Sequence, residues 1–104
     1  MARTPPRDIQ SMADLRVCID EIDRELVQLL AERERYTDRA PDLKAREGIA
    51  ARAPRRVTAV LDNVRARAEA CGLDPELAEA MWTIMIETVI AREERVIGKE
   101  GVDG

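Results

Sequence analysis

The chain has no histidine and no phenylalanine, a single tryptophan and a single tyrosine, and one serine, Ser11. Without histidine there is no His-ligated metal and no imidazole base, and a Ser-His-Asp relay is excluded. The two cysteines, Cys18 and Cys71, are too few for a disulfide framework or a cysteine-rich zinc site, and they read as small core residues of a reducing compartment. Aromatic residues make up 2%, which leaves no base-stacking platform, and 17 Lys+Arg against 21 Asp+Glu gives a net charge of -4. Both features argue against a dedicated nucleic-acid binder. Five glycines and five prolines are too few for a loop-rich β fold or a low-complexity chain. No apolar run approaches the ~20 residues of a membrane span, and the opening MARTPPRDIQ lacks the apolar stretch of a secretory signal. The expectation is a soluble, cytoplasmic, helical protein with no metal and no cofactor.

The 104 residues suffice for one ordinary domain, and 45% apolar with 37% charged residues supplies both a core and a solvated face. Residues 1–10 are polar, carry Pro5-Pro6, and read as a flexible tail. Ser11 then has the character of an N-cap, with Asp14 three residues on as an imperfect capping box. Leu15, Ile19, Ile22, Leu26 and Leu29 follow at the alternating spacing of a heptad seam. The rhythm extends to about residue 47, but Pro41 predicts a kink or break near Thr37–Ala40. Gly48–Ala53 reads as a loop, and Pro54 opens a second helix with Val57, Val60, Leu61, Val64, Ala68 and Cys71 on its seam. Gly72 stops it. Asp74-Pro75-Glu76 is a strong helix start. The third helix carries Ala78, Trp82, Met85, Val89, Glu93 and Val96 and ends at Gly98, leaving residues 99–104 as a second flexible tail. The fold class is therefore all-α, one domain over 11–98 with three helices, the first and third long. A helix of about 35 residues is about 50 Å long, whereas a compact 100-residue domain has a radius of gyration of about 13 Å. The first helix outruns its own domain with an apolar seam along its length, which predicts a homodimer of paired long helices.

Several charges break this pattern. Arg33 occupies a seam position, and Lys44 lies about three turns further on, so an unkinked helix puts both on one face. Glu93 sits on the apolar seam of the third helix, and Arg56 flanks the first seam residue of the second. A charge near a core is costly unless paired. One reading is that these side chains snorkel or pair internally, as Arg33–Glu93. The other is that they converge on a pocket for a small polyanion such as a dicarboxylate. Arg16 lies about 25 Å from Arg33 along a straight helix, so the two cannot grip one small molecule from the same chain. With long helices paired antiparallel, Arg16 of one protomer approaches Arg33 of its partner and the site is shared.

The stretch Leu15-Arg16, Ile19, Ile22-Asp23, Leu26, Leu29-Leu30-Ala31-Glu32-Arg33, followed by Lys44, Arg56 and Gly72-Leu73-Asp74, resembles the all-helical chorismate mutase domain over about residues 12–97. The resemblance implies an intertwined three-helix homodimer with two identical sites. The family contains chorismate mutases, which convert chorismate to prephenate, and isochorismate pyruvate lyases, which make salicylate and pyruvate. Both reactions are pericyclic. By resemblance, Arg16 from the partner would bind the enolpyruvyl carboxylate and Arg33 a substrate carboxylate. Lys44 would hydrogen-bond the ether oxygen of the breaking C–O bond. Glu93 stands where many members have Gln and would contact the same oxygen, and Arg56 would support the carboxylate end. Such a reaction needs no nucleophile, only a compact conformer and donors aimed at developing charge, which suits a site of Arg and Lys without His.

Three departures bear on specificity. Family mutases often carry acids one turn apart on the second helix, where this chain has Ala53 and Val57; their loss resembles the lyase branch. Val89 replaces a polar residue found in some mutases. Glu93, by contrast, resembles the glutamate of some fungal mutases. To donate to an ether oxygen its carboxyl must be protonated, so activity is expected to fall as pH rises. The leading expectation is a chorismate mutase in aromatic amino-acid biosynthesis. The alternatives are an isochorismate pyruvate lyase and a non-catalytic helical interaction protein of the same fold.

Overall fold

The computed structural model describes residues 3–104, most of which are helical, with non-helical segments between the helices and at both ends of the described chain. A 3-10 turn at Pro6–Asp8 precedes α1 (Met12–Thr37), α2 (Ala40–Glu47), α3 (Pro54–Cys71) and α4 (Pro75–Ile97). The break falls where Pro41 predicted it, and the proline sits in the first turn of α2, where its missing N–H leaves no bond unmade. The straight-helix phase relating Arg33 to Lys44 therefore does not carry across residues 38 and 39. The chain divides into two compact units, Met1–Tyr36 and Thr37–Gly104.

In the first unit the Ser11 hydroxyl accepts the Asp14 N–H at 3.1 Å, the capping contact expected from sequence. Arg3 pairs with Glu25 on α1 at 3.0 Å. No residue of α1 is buried. Its stripe of Ile19, Ile22, Leu26 and Leu29 stands between 39% and 62% exposed.

The second unit is built on an αα-hairpin. Gly72 ends α3 at φ 81°, a left-handed conformation that favours glycine. The Asp74 carboxylate then accepts the Glu76 N–H at 2.9 Å and caps α4, an arrangement that contributes about 1 kcal/mol. Val64, Ala68 and Ala78 form the buried contact, with Val60 and the half-buried Trp82 against it. The small alanines let the two backbones approach closely, and Arg65 closes the hairpin's flank on Glu79 at 2.6 Å. Cys71, expected in the core, is exposed because it ends α3 beyond the packed turn; Cys18 is partly buried.

A second link joins the loop before α3 to α4. Arg52 donates to both oxygens of Glu87, at 3.0 and 2.6 Å, with both side chains about half exposed. That hydrogen bonding, reinforced by the guanidinium charge, holds the Glu87 carboxyl below the usual carboxylate range. A lowered folded-state value means the pair stabilises the fold above the ordinary carboxylate range and stops doing so as pH falls through the lowered value. Glu87→Gln is therefore expected to melt below the wild type at neutral pH and together with it in strong acid. Thermal melts at both extremes check this, and an equal gap at both would refute it.

Candidate active site

Two of the anomalous charges meet in the second unit. Lys44 lies near the end of α2, which Gly48 terminates at φ 69° while the Ile49 N–H returns to the Lys44 carbonyl at 2.9 Å. The loop that follows folds back so that the Ala51 carbonyl faces the lysine. Lys44 Nζ donates to this carbonyl at 2.9 Å and to Glu93 Oε2, on α4, at 2.7 Å. The Glu93 side chain is only 5% exposed and that of Lys44 22%. A carboxylate so removed from water is costly by several kcal/mol unless a cation and hydrogen bonds compensate it, and Lys44 supplies both. Glu93 thus takes Lys44 as partner, where the sequence had left an Arg33–Glu93 pair open.

The arrangement has a chemical consequence. An ammonium carries three N–H donors. Two are fixed by Ala51 and Glu93, which set the direction of the third and leave it for a ligand. The lysine also lines an open cavity of about 460 Å³, together with Ala45, Gly48, Ile49, Val96 and Gly101.

The remaining expected site residues are distributed as follows. Arg56 is exposed in the first turn of α3, with its N–H on the Ala53 carbonyl at 3.0 Å, and Val57 beside it is half-buried. Val89 is half-buried on α4, one turn before Glu93 and on the same helical face. Ala53, which precedes Pro54, is 3% exposed. Arg16 and Arg33 belong to α1 in the first unit, Arg16 exposed and Arg33 half-buried. The Ala51 carbonyl was not foreseeable, because a backbone acceptor leaves no trace in a side-chain pattern. Among the described residues there is no group of three or more His, Cys, Asp or Glu placed to hold a metal, and no helix long and apolar enough to cross a membrane.

Comparison with known proteins places the chain among relatives over most of its length. The family described as chorismate mutase type II matches residues 15–94, which takes in α2, α3, Glu93 and most of α1. The isochorismate pyruvate lyase of Pseudomonas aeruginosa is 39% identical over 88 residues, covering 85% of this chain and 86% of that protein. The chorismate mutase of Methanocaldococcus jannaschii is 29% identical over 79 residues, covering 76% of this chain and 80% of that protein. The T-protein of Haemophilus influenzae is 37% identical over 71 residues, covering 68% of this chain but 19% of its own length. A family match across most of the chain, with a relative 39% identical over 85% of it, leaves one conclusion: this chain belongs to the chorismate mutase type II family.

Proposed function

We propose that the chain is a chorismate mutase, an isomerase that converts chorismate to prephenate in aromatic amino-acid biosynthesis, acting in the cytoplasm. The observation that carries this reading is the Lys44 ammonium, held by Ala51 and Glu93 with one donor left over. In the rearrangement a C–O bond breaks while a C–C bond forms, and negative charge grows on the ether oxygen. A fixed N–H aimed at that oxygen stabilises the transition state more than the ground state. Arg33 and Arg56 bind the carboxylates of the substrate, with Val57 and Val89 shaping the wall beside them. Arg16 comes from the second protomer of a homodimer. The support for a dimer is the exposed apolar stripe of α1, a heptad seam with no buried residue.

A second reading is favoured by one specific feature. Ala53 and Val57 are apolar where mutases of the family often carry acids, and the Pseudomonas lyase covers most of the chain at 39% identity. Isochorismate pyruvate lyase chemistry uses the same Lys44 donor on a C–O bond of an isomeric dicarboxylate. Incubation with chorismate and, separately, isochorismate distinguishes the two. Prephenate from chorismate at useful rates is the expected outcome. Salicylate plus pyruvate from isochorismate, without prephenate from chorismate, would reassign the chain to lyase chemistry. No product from either substrate would refute both.

A further inference from the structure

The C-terminal residues make contacts that neither the helices nor the reaction requires. After α4 the chain turns at Gly98 and runs back over the loop between α2 and α3. The Ala50 N–H donates to the Val102 carbonyl at 2.8 Å, and the Val102 N–H to the Gly48 carbonyl at 2.9 Å. Ile49 and Val102 form a parallel bridge. Gly101 sits at φ 139°, and a Cβ there would lie 2.5 Å from the Ala50 nitrogen and 2.7 Å from its Cα. Only glycine fits where the strap crosses the loop, because the atoms in the way are backbone. Two residues on, both oxygens of Asp103 accept the Arg55 N–H, at 3.3 and 3.4 Å. This carboxylate fills the role left open at the start of α3, whose N-cap, Ala53, has no side chain to offer.

The loop pinned in this way is the one that presents the Ala51 carbonyl to Lys44. Its flank at Gly48 and Ile49 lines the open cavity, while Ala50 and Ala51 are buried beneath the strap's hydrogen bonds. We propose that Gly101, Val102 and Asp103 are positioning residues. They act as a strap that fixes the loop, the loop fixes the Ala51 carbonyl, and the carbonyl fixes the third N–H of Lys44. The proposal rests on the reading of Lys44 as the donor to the substrate's ether oxygen. Displacing a reacting group by about 1 Å can lower a rate by about a hundredfold, so the strap's effect belongs in kcat.

The test measures kcat and KM for chorismate in Gly101→Ala, Asp103→Ala, Asp103→Glu and Lys44→Ala, and in Gly101→Ala combined with Lys44→Ala, with helical content followed by circular dichroism. Gly101→Ala is expected to lower kcat roughly tenfold or more, with KM within about twofold and helicity kept. Asp103→Ala, which leaves the backbone bridge in place, is expected to lower kcat severalfold, and Asp103→Glu to recover most of it. In the Lys44→Ala background Gly101→Ala is expected to reduce the residual rate no further, because two changes acting through one donor are not additive. An unchanged kcat in both single strap variants overturns the proposal. So does an equal loss with and without Lys44, which would make the strap a general support. If Gly101→Ala does not fold, Asp103→Ala and its glutamate rescue decide the question alone. A Lys44→Ala single variant with full activity would instead refute the donor reading on which the proposal stands.

Discussion

Chains carrying Arg16→Ala and chains carrying Arg33→Ala, each nearly inactive alone, are expected to regain about a quarter of the wild-type rate when unfolded, mixed equally and refolded together. The arithmetic follows from a site that takes Arg33 from one protomer and Arg16 from its partner. In a mixed dimer one site receives both mutations and the other receives neither. Half of the dimers in an equal mixture are mixed, and each has one intact site of two. A site assembled within one chain gives no recovery, since every chain in the mixture then lacks one arginine. The helix itself motivates the experiment. Arg16 and Arg33 lie on the continuous α1, so the helix holds them about 25 Å apart in one protomer. Recovery in proportion to the mixed fraction, with product followed by absorbance, would establish the shared site; its absence would return Arg16 to a surface role.

The second large effect is expected at the buried ion pair. Lys44→Ala should lower kcat by a factor of about 10²–10³, the loss typical of one donor removed from a developing oxyanion. The same change leaves Glu93 buried without its cation, a separate cost to stability. That cost is about 3 kcal/mol, the low end for a broken buried pair, because Lys44 keeps 22% of its side-chain surface. The double variant Lys44→Ala/Glu93→Gln separates the two effects. It removes the stranded charge, so its melting temperature should rise above that of Lys44→Ala while its rate stays low. A parallel recovery of rate and stability would make Lys44 a structural residue.

Much of the fold was legible because helices are specified locally. The spacing of Leu15, Ile19, Ile22, Leu26 and Leu29, the Ser11 and Asp74 caps, the stops at Gly48 and Gly72 and the break at Pro41 all depend on neighbours within a turn or two. Arg33, Lys44, Arg56 and Glu93 were legible as candidates because a charge beside an apolar seam needs a reason. What the tertiary structure decided lies at longer range. Lys44 and Glu93 are 49 residues apart, and only the packing of α2 against α4 makes them partners. The Ala51 carbonyl and the Val102 bridge are backbone contacts, to which side-chain pattern is blind. Asp103 left one trace, the want of a capping side chain before Pro54, but that trace does not say which distant carboxylate answers it. Local periodicity determined the helices and marked the unusual charges. The path of the chain between helices decided which of those charges meet, because a partner distant in sequence is fixed by the three-dimensional return of the backbone and by nothing in its immediate neighbourhood.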